Sequence, residues 1–171
     1  VWDLGANTGM FSRIACEEGA RVISFDVDPG AVERNYRTVK EKQEANVLPL
    51  WLDLVNPSPA LGWANQERSS VPERGQPDAI LALALIHHLV ISNNVPLRLG
   101  SDFFASMTAA LVIEFVSKSD DRVKTLLATR PDIFPDYTRQ GFEDAFTERW
   151  SIEAAAELGG PDRVLYCLRR R

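Results

Sequence analysis

The sequence predicts an α/β fold in which a mostly parallel sheet is covered by helices. Short apolar runs alternate with stretches of helical periodicity along the chain, which is typical of strands joined by crossover helices. The run PDAILALAL at 77–85 is almost continuously apolar, as expected for a central strand buried on both faces. The last two apolar runs flank a GGPD turn, which indicates an antiparallel hairpin at one edge of the sheet.

Each element follows from its local pattern. The apolar runs predict strands over residues 1–4, 21–28, 47–54, 77–85, 111–116, 150–158 and 163–170. Helical spacing predicts helices over residues 9–19, 29–43, 96–109, 120–130 and 138–146. Pro29 suits the first turn of the second helix, with Asp28 before it as the cap. Residues 56–77, rich in Pro, Ser and charge, predict a long connection with one helical turn.

Composition describes an ordinary globular chain. The sequence has 171 residues, of which 45% are hydrophobic and 25% charged, and this length suits one domain over residues 1–171. The formal net charge of -5 argues against a general attraction to nucleic acid or to anionic lipid. Arg169–Arg171 form the one concentrated basic run, which we interpret as a solvated end.

Cysteine use and the absence of targeting signals favour a cytoplasmic protein. Cys16 and Cys167 have no C-x-x-C spacing, so we expect free thiols in a reducing compartment. We see no signal peptide at the first residue and no apolar run long enough to cross a membrane. Because the chain opens inside a strand, we expect that an N-terminal part of the native protein is missing.

A glycine-containing turn follows the first strand with the spacing Asp3-x-Gly5-x-Asn7-x-Gly9. Glycines at such a turn permit positive φ and close approach of the backbone to a ligand. The spacing is not the G-x-G-x-x-G of dinucleotide-binding proteins, and the chain has no G-x-x-x-x-G-K-[ST] phosphate loop. The turn therefore predicts a cofactor site that does not depend on phosphate.

Three carboxylates are predicted at the ends of successive strands, namely Asp3, Asp26 and Asp53. Asp3 suits an ammonium group, Asp26 suits ribose hydroxyls, and Asp53 suits an exocyclic amine. An ammonium group, a ribose and an adenine amine without a phosphate describe S-adenosylmethionine. Asp53 could equally be only a turn cap, and Asp28 is interpreted as the N-cap of the second helix.

These motifs resemble those of the class I S-adenosylmethionine-dependent methyltransferases, and the resemblance covers nearly the whole chain. It implies a three-layer Rossmann-like fold whose seven strands have the order 3-2-1-4-5-7-6, with an antiparallel hairpin at the end. It also implies S-adenosyl-L-methionine as the cofactor. The cofactor-binding positions that it implies are Asp3, Gly5, Ala6, Asn7, Gly9, Asp26, Val27, Asp53, Leu54 and Ala84.

His87 and His88 are the only histidines, and they follow the strand that faces the transferred methyl group in this family. Either could act as a general base, since imidazole titrates near neutrality, and either could simply shape the pocket. No further ligands at suitable spacing indicate a metal site. Glu114 could contact substrate or pair with Lys118 or Lys124.

The segment between the fifth and sixth strands is longer than a crossover helix requires. Extra length at the ligand-binding edge of such a sheet often supplies a wall of the substrate pocket. Phe134, Tyr137 and Phe142 are candidates for that wall, although packing onto the sheet explains them equally well.

The methyl acceptor is not evident from the sequence. No N-P-P-[YF], D-P-P-Y or Pro-Cys motif follows the fourth strand, which argues against adenine, glutamine and cytosine C5 acceptors. A small-molecule acceptor is our expectation, and an acceptor on RNA or protein stays open. Two alternatives are a cofactor-binding module without catalysis and an NAD-dependent oxidoreductase, against which Asp3 and the missing G-x-G-x-x-G count.

Overall fold

A computed structural model describes residues 1–160 and 162–171 of the chain. Seven strands form one sheet with the order β3-β2-β1-β4-β5-β7-β6, which confirms the predicted fold class and strand order. Strands β1, β2 and β3 are parallel, whereas β7 is antiparallel to both β5 and β6. The strands are β1 Trp2–Leu4, β2 Val22–Asp26, β3 Val47–Trp51, β4 Ile80–Ala82, β5 Ala110–Val116, β6 Trp150–Glu157 and β7 Arg163–Arg170.

The helices occupy the connections between strands, close to their predicted positions. They are α1 Met10–Glu17, α2 Pro29–Lys42, α3 Leu97–Met107, α4 Asp121–Leu127 and α5 Arg139–Thr147. A π-helix covers His88–Ser92, and two short 3₁₀ turns cover Trp63–Asn65 and Pro72–Arg74. Within residues 1–160 and 162–171, no helix is long and apolar enough to cross a membrane.

The chain divides into two compact units, residues 1–80 and 81–171, and the expected single domain stays a prediction. In the first unit, Trp2 and Phe25 pack edge to face with their ring centroids 5.2 Å apart. Helix α2 begins where expected, because the Asp28 carboxylate accepts the Gly30 amide at 2.8 Å. The interpretation of Asp28 as the cap of this helix is thus confirmed.

The second unit is built around an aromatic core. Phe142 is fully buried, and its ring contacts those of Phe115, Phe146 and Tyr166 at centroid distances of 4.3–5.4 Å. Helix α5, which carries Phe142, begins at Thr138, whose hydroxyl accepts the Gly141 amide at 3.0 Å. Phe142 is therefore a packing residue rather than a pocket wall.

Strands β3 and β4 end earlier than predicted, for local reasons. β3 ends at Trp51, and the Asp53 carboxylate then accepts the Val55 amide at 3.0 Å, which turns the chain. β4 ends at Ala82, because Ala84 takes a positive φ of 49° that no strand can contain. In the closing hairpin, β6 and β7 pair as predicted, and Pro161 of the GGPD turn lies outside the described residues.

Candidate cofactor and acceptor sites

The turn after β1 has three left-handed residues at alternate positions. Gly5, Asn7 and Gly9 have φ values of 76°, 49° and 78°. Asn7 takes this conformation although it is not a glycine, and asparagine tolerates it better than most residues. A Cβ on Gly9 would lie 2.6 Å from both side-chain polar atoms of the buried Asn35, so only glycine fits there. The predicted spacing therefore corresponds to a backbone requirement.

Asp26 fastens this turn to the end of β2. Its Oδ2 accepts the Asn7 amide at 2.7 Å, and its Oδ1 accepts the Asp28 amide at 2.8 Å. The amides of Gly5 and Ala6 both donate to the Phe25 carbonyl at 2.9 Å. A carboxylate offers about four lone-pair positions, so each oxygen of Asp26 retains the capacity to accept one further donor.

Asp3 is a buried carboxylate beside the turn. It is 2% exposed, and its Oδ2 accepts the hydroxyl of the fully buried Ser12 at 2.6 Å. Burial raises the pKa of Asp3 above its usual range; the bond from Ser12 opposes this shift and the charge of Asp26 adds to it. A cationic partner would relieve this cost of ionisation, so the pair of acids suits a ligand with a positive group.

Arg13 supports the turn from helix α1, a role that no pattern in the sequence predicted. Its Nη1 donates to the carbonyls of Thr8 and Gly9 at 2.8 and 2.9 Å. Its Nε and Nη2 donate to the two carboxylate oxygens of Glu44 at 2.9 and 2.8 Å. The contact of Arg13 with the Gly9 carbonyl spans four residues and could have been inferred from a helix that begins after Gly9. The contact with Glu44 could not, because Glu44 lies 31 residues away in the sequence.

The predicted adenine-binding residues lie just beyond β2 and β3. The Leu52 amide donates to the Asp26 carbonyl at 3.0 Å, which brings the chain before Asp53 alongside the end of β2. Val27 is 58% exposed, and its carbonyl accepts the Trp51 indole N–H at 2.9 Å. Asp53 and Leu54 are half-buried. Since Asp53 forms the turn described above, its capping role is observed and its role toward adenine stays a prediction.

In the second unit, a series of hydrogen-bonded charged side chains holds Ala84, which follows β4 and has a positive φ. The Ala84 amide donates to Glu114 Oε2 at 2.9 Å, and Glu114 Oε1 accepts Arg163 Nη1 at the same distance. Arg163 Nε donates in turn to Asp120 at 2.8 Å. Glu114 is 6% exposed, and its observed ion pair is with Arg163 rather than with Lys118 or Lys124. A positive φ in a non-glycine residue stores strain that the surroundings must hold.

The two histidines lie in different environments. The His87 side chain is 1% exposed, and its buried Nδ1 has no hydrogen-bond partner among the described residues. Burial lowers the pKa of His87 to about 4. His88 is exposed at the start of the π-helix, and its ring centroid lies 4.3 Å from that of His87. His87 is thus neutral and weakly basic, which leaves His88 as the better candidate base.

A second hollow, the possible metal ligands and the two cysteines give no further candidate site among the described residues. A hollow of about 610 Å³, lined by residues such as Trp2, Val22 and Val47, lies at the amino ends of β1–β3 and away from the turn. Across residues 1–160 and 162–171, no group of three or more His, Cys, Asp or Glu side chains is arranged to hold a metal ion. Cys16 and Cys167 are free, half-buried thiols.

Sequence comparison finds a relative among the nodulation proteins. The chain is 42% identical over 172 aligned residues to nodulation protein NoeA from Rhizobium meliloti (strain 1021), an alignment that covers 99% of this chain. The chain spans only 36% of the length of that relative. No protein-family model matches the chain.

Solved structures share the fold at low sequence identity. PH0226 from Pyrococcus horikoshii OT3 is 15% identical with a TM-score of 0.66, covering 99% of this chain and 81% of that one. Magnesium protoporphyrin IX methyltransferase (ChlM) from Synechocystis PCC 6803, with bound SAH, is 17% identical with a TM-score of 0.62, covering 99% and 73%. The 16S rRNA methyltransferase RmtF, in complex with S-adenosyl-L-homocysteine, is 16% identical with a TM-score of 0.66, covering 100% and 55%. This chain therefore has the class I methyltransferase fold.

Proposed function

We propose that this chain binds S-adenosylmethionine and transfers its methyl group to a small-molecule acceptor. The observation that carries the proposal is the turn of Gly5, Asn7 and Gly9, which Asp26 fastens to the end of β2 and which directly follows the buried Asp3. Its backbone conformation lets a ligand approach closely, and the carboxylates beside it favour a cation over a phosphate.

The residues of the first unit fit the parts of this cofactor. Asp26 has acceptor capacity left for ribose hydroxyls, since each of its oxygens accepts one backbone amide. Asp3 would accept from the ammonium group, whose charge would lower the raised pKa of this carboxyl. Val27, exposed at the end of β2, and Leu54 would contact the adenine ring, with Asp53 facing its amine.

The protein's part in catalysis would be alignment and, where the acceptor needs it, proton removal. When bound, the cofactor supplies an electrophilic methyl group for in-line displacement, so positioning contributes heavily to the rate. His88 is exposed and His87 is a weak base with a pKa of about 4. We therefore assign His88 as the residue that accepts a proton from an acceptor hydroxyl or nitrogen.

A small acceptor is favoured over a nucleic acid by the charge of the chain. Its net charge is -5, whereas binding to a phosphate backbone depends on clustered cations. Proteins of this fold include a magnesium protoporphyrin IX methyltransferase and a 16S rRNA methyltransferase, so the fold alone does not choose between acceptors. The two free cysteines also fit a cytoplasmic location.

Calorimetric titration with S-adenosylhomocysteine tests this proposal through Asp26→Ala. Loss of hydrogen bonds to a charged acceptor should weaken binding by about 1.5–3 kcal/mol, or roughly 10- to 150-fold. Asp28→Ala is the matched control, since it removes a neighbouring carboxylate that caps α2 and is not assigned to the cofactor. If Asp26→Ala bound as tightly as the Asp28→Ala control, the assignment of the ribose site would be wrong.

A further inference from the structure

The second unit holds a cavity of about 310 Å³ that is lined neither by the candidate cofactor-binding residues nor by His87 or His88. Its walls come from the π-helix, from the start of α3, from the segment before α5 and from α5 itself. The apolar residues that matter for its chemistry are Val90, Leu97, Ile133, Phe134, Tyr137 and Ala145. The lining is therefore largely hydrocarbon and aromatic.

The cavity lies near the carboxyl ends of two strands. Val90 belongs to the π-helix that begins at His88, shortly after β4. Tyr137 is 2% exposed, and its hydroxyl donates to the carbonyl of Val116, the last residue of β5, at 2.8 Å. Ligands of open α/β sheets bind beyond these strand ends, so the cavity is in the region where an acceptor is expected.

The wall formed by the segment before α5 is held in place. Arg130 donates to Asn94 Oδ1 at 2.7 Å and to carbonyls at the end of the π-helix, and its guanidinium lies 5.0 Å from the centroid of the Phe134 ring. A Cβ on Gly141 would lie 2.1 Å from the Asp136 carbonyl, so glycine permits this segment to approach α5. The cavity is thus preformed, as ligand pockets usually are.

The size and charge of the cavity limit its occupant. An apolar cavity of about 150 Å³ holds benzene, so a volume of about 310 Å³, roughly twice as large, is sufficient for two fused rings. Of the two charged lining residues, Arg98 pairs with Glu148 at 2.9 Å, and the carboxylate of Asp136 disfavours an anion. Burial keeps the Tyr137 phenol neutral by raising its pKa. The mostly apolar lining disfavours burial of any charged group, so the cavity favours a neutral ligand.

We propose that this cavity binds the neutral, planar, two-ring hydrocarbon part of the methyl acceptor. The assignment to an acceptor rests on the function proposed above, whereas binding of such a ring system can be measured without the cofactor. His88 would then lie on the same π-helix that forms part of the ring-binding wall.

The test is calorimetric titration of the whole chain with 2-naphthol and, separately, with 2-naphthoate. Ala145→Phe fills the cavity from α5, and Gln140→Phe is the matched control, because it adds the same ring to an exposed position on the same helix. Ile133→Asp is a second variant at a position that is 64% exposed, where a new charge should not prevent folding. Titration with S-adenosylhomocysteine runs in parallel on every protein.

We expect 2-naphthol to bind with a 1:1 stoichiometry and to bind the wild type more tightly than 2-naphthoate does. Ala145→Phe and Ile133→Asp should each weaken 2-naphthol binding by about tenfold or more. Gln140→Phe should bind 2-naphthol as tightly as the wild type does, and all variants should keep the wild-type affinity for S-adenosylhomocysteine. Absence of saturable 2-naphthol binding, or equal binding by all variants, would overturn the proposed cavity. If the protein bound 2-naphthol but did not bind S-adenosylhomocysteine, the ring site would be upheld and the methyltransferase function would be overturned.

Discussion

When the pH is lowered from 7 to 5, His87→Gln should lose less free energy of unfolding than the wild type does. His87 is buried, and burial is the main cause that lowers its pKa from 6.5 to about 4; the charges of His88, Arg163 and Arg122 contribute to this shift, and the charge of Asp120 opposes it. Between these two values the unfolded chain binds the proton and the folded chain does not, so stability falls as the pH falls below about 6.5. The loss is complete below about pH 4 and absent above about pH 6.5.

The size of this effect follows from the shift. With unfolded and folded values of 6.5 and about 4, linkage gives a loss of about 2 kcal/mol near pH 5 and of about 3 kcal/mol at full protonation. Urea unfolding followed by tryptophan fluorescence near pH 7 and pH 5 measures it. Any cost of the substitution that is the same at both pH values cancels when the pH-dependent losses are compared. If wild type and His87→Gln lost the same free energy between the two pH values, the assignment of His87 as a buried neutral imidazole would be refuted.

Two further substitutions test the packing that supports the sites. Gly9→Ala should destabilise the chain by about 1–3 kcal/mol more than Gly19→Ala does. Both glycines have positive φ, but only a Cβ on Gly9 would clash with a neighbour, Asn35. Equal decreases of the melting temperature in the two variants would contradict this prediction. Tyr137→Phe should cost about 1–2 kcal/mol in urea unfolding, because it leaves the Val116 carbonyl without its donor, and an unchanged midpoint would show that the bond contributes nothing.

Periodicity predicted the fold well because the strands and helices of this chain are locally consistent. The turn at Gly5, Asn7 and Gly9 was legible for the same reason, since its spacing reflects a backbone conformation that few residues adopt. The Asp28 cap was also predictable, because its partner Gly30 is two residues away. Features set by neighbouring residues could therefore be inferred from the order of the residues alone.

The features that the sequence did not reveal depend on distant partners or on ambiguous patterns. Glu114 was interpreted either as a substrate contact or as a partner of Lys118 or Lys124, whereas its observed partner Arg163 lies 49 residues away on β7. The π-helix that starts at His88 follows an apolar run that suits a strand and a helix equally. The different burial of His87 and His88 likewise arises from tertiary packing, so two adjacent histidines could not be distinguished beforehand.

The most direct test of the central claim is calorimetric titration of the wild-type chain with S-adenosylhomocysteine and, separately, with NADH. The proposal predicts saturable micromolar binding of S-adenosylhomocysteine and no binding of NADH, because the turn lacks the G-x-G-x-x-G spacing and lies beside the buried carboxylate of Asp3. Binding of NADH in place of S-adenosylhomocysteine would contradict the proposal, and so would binding of neither.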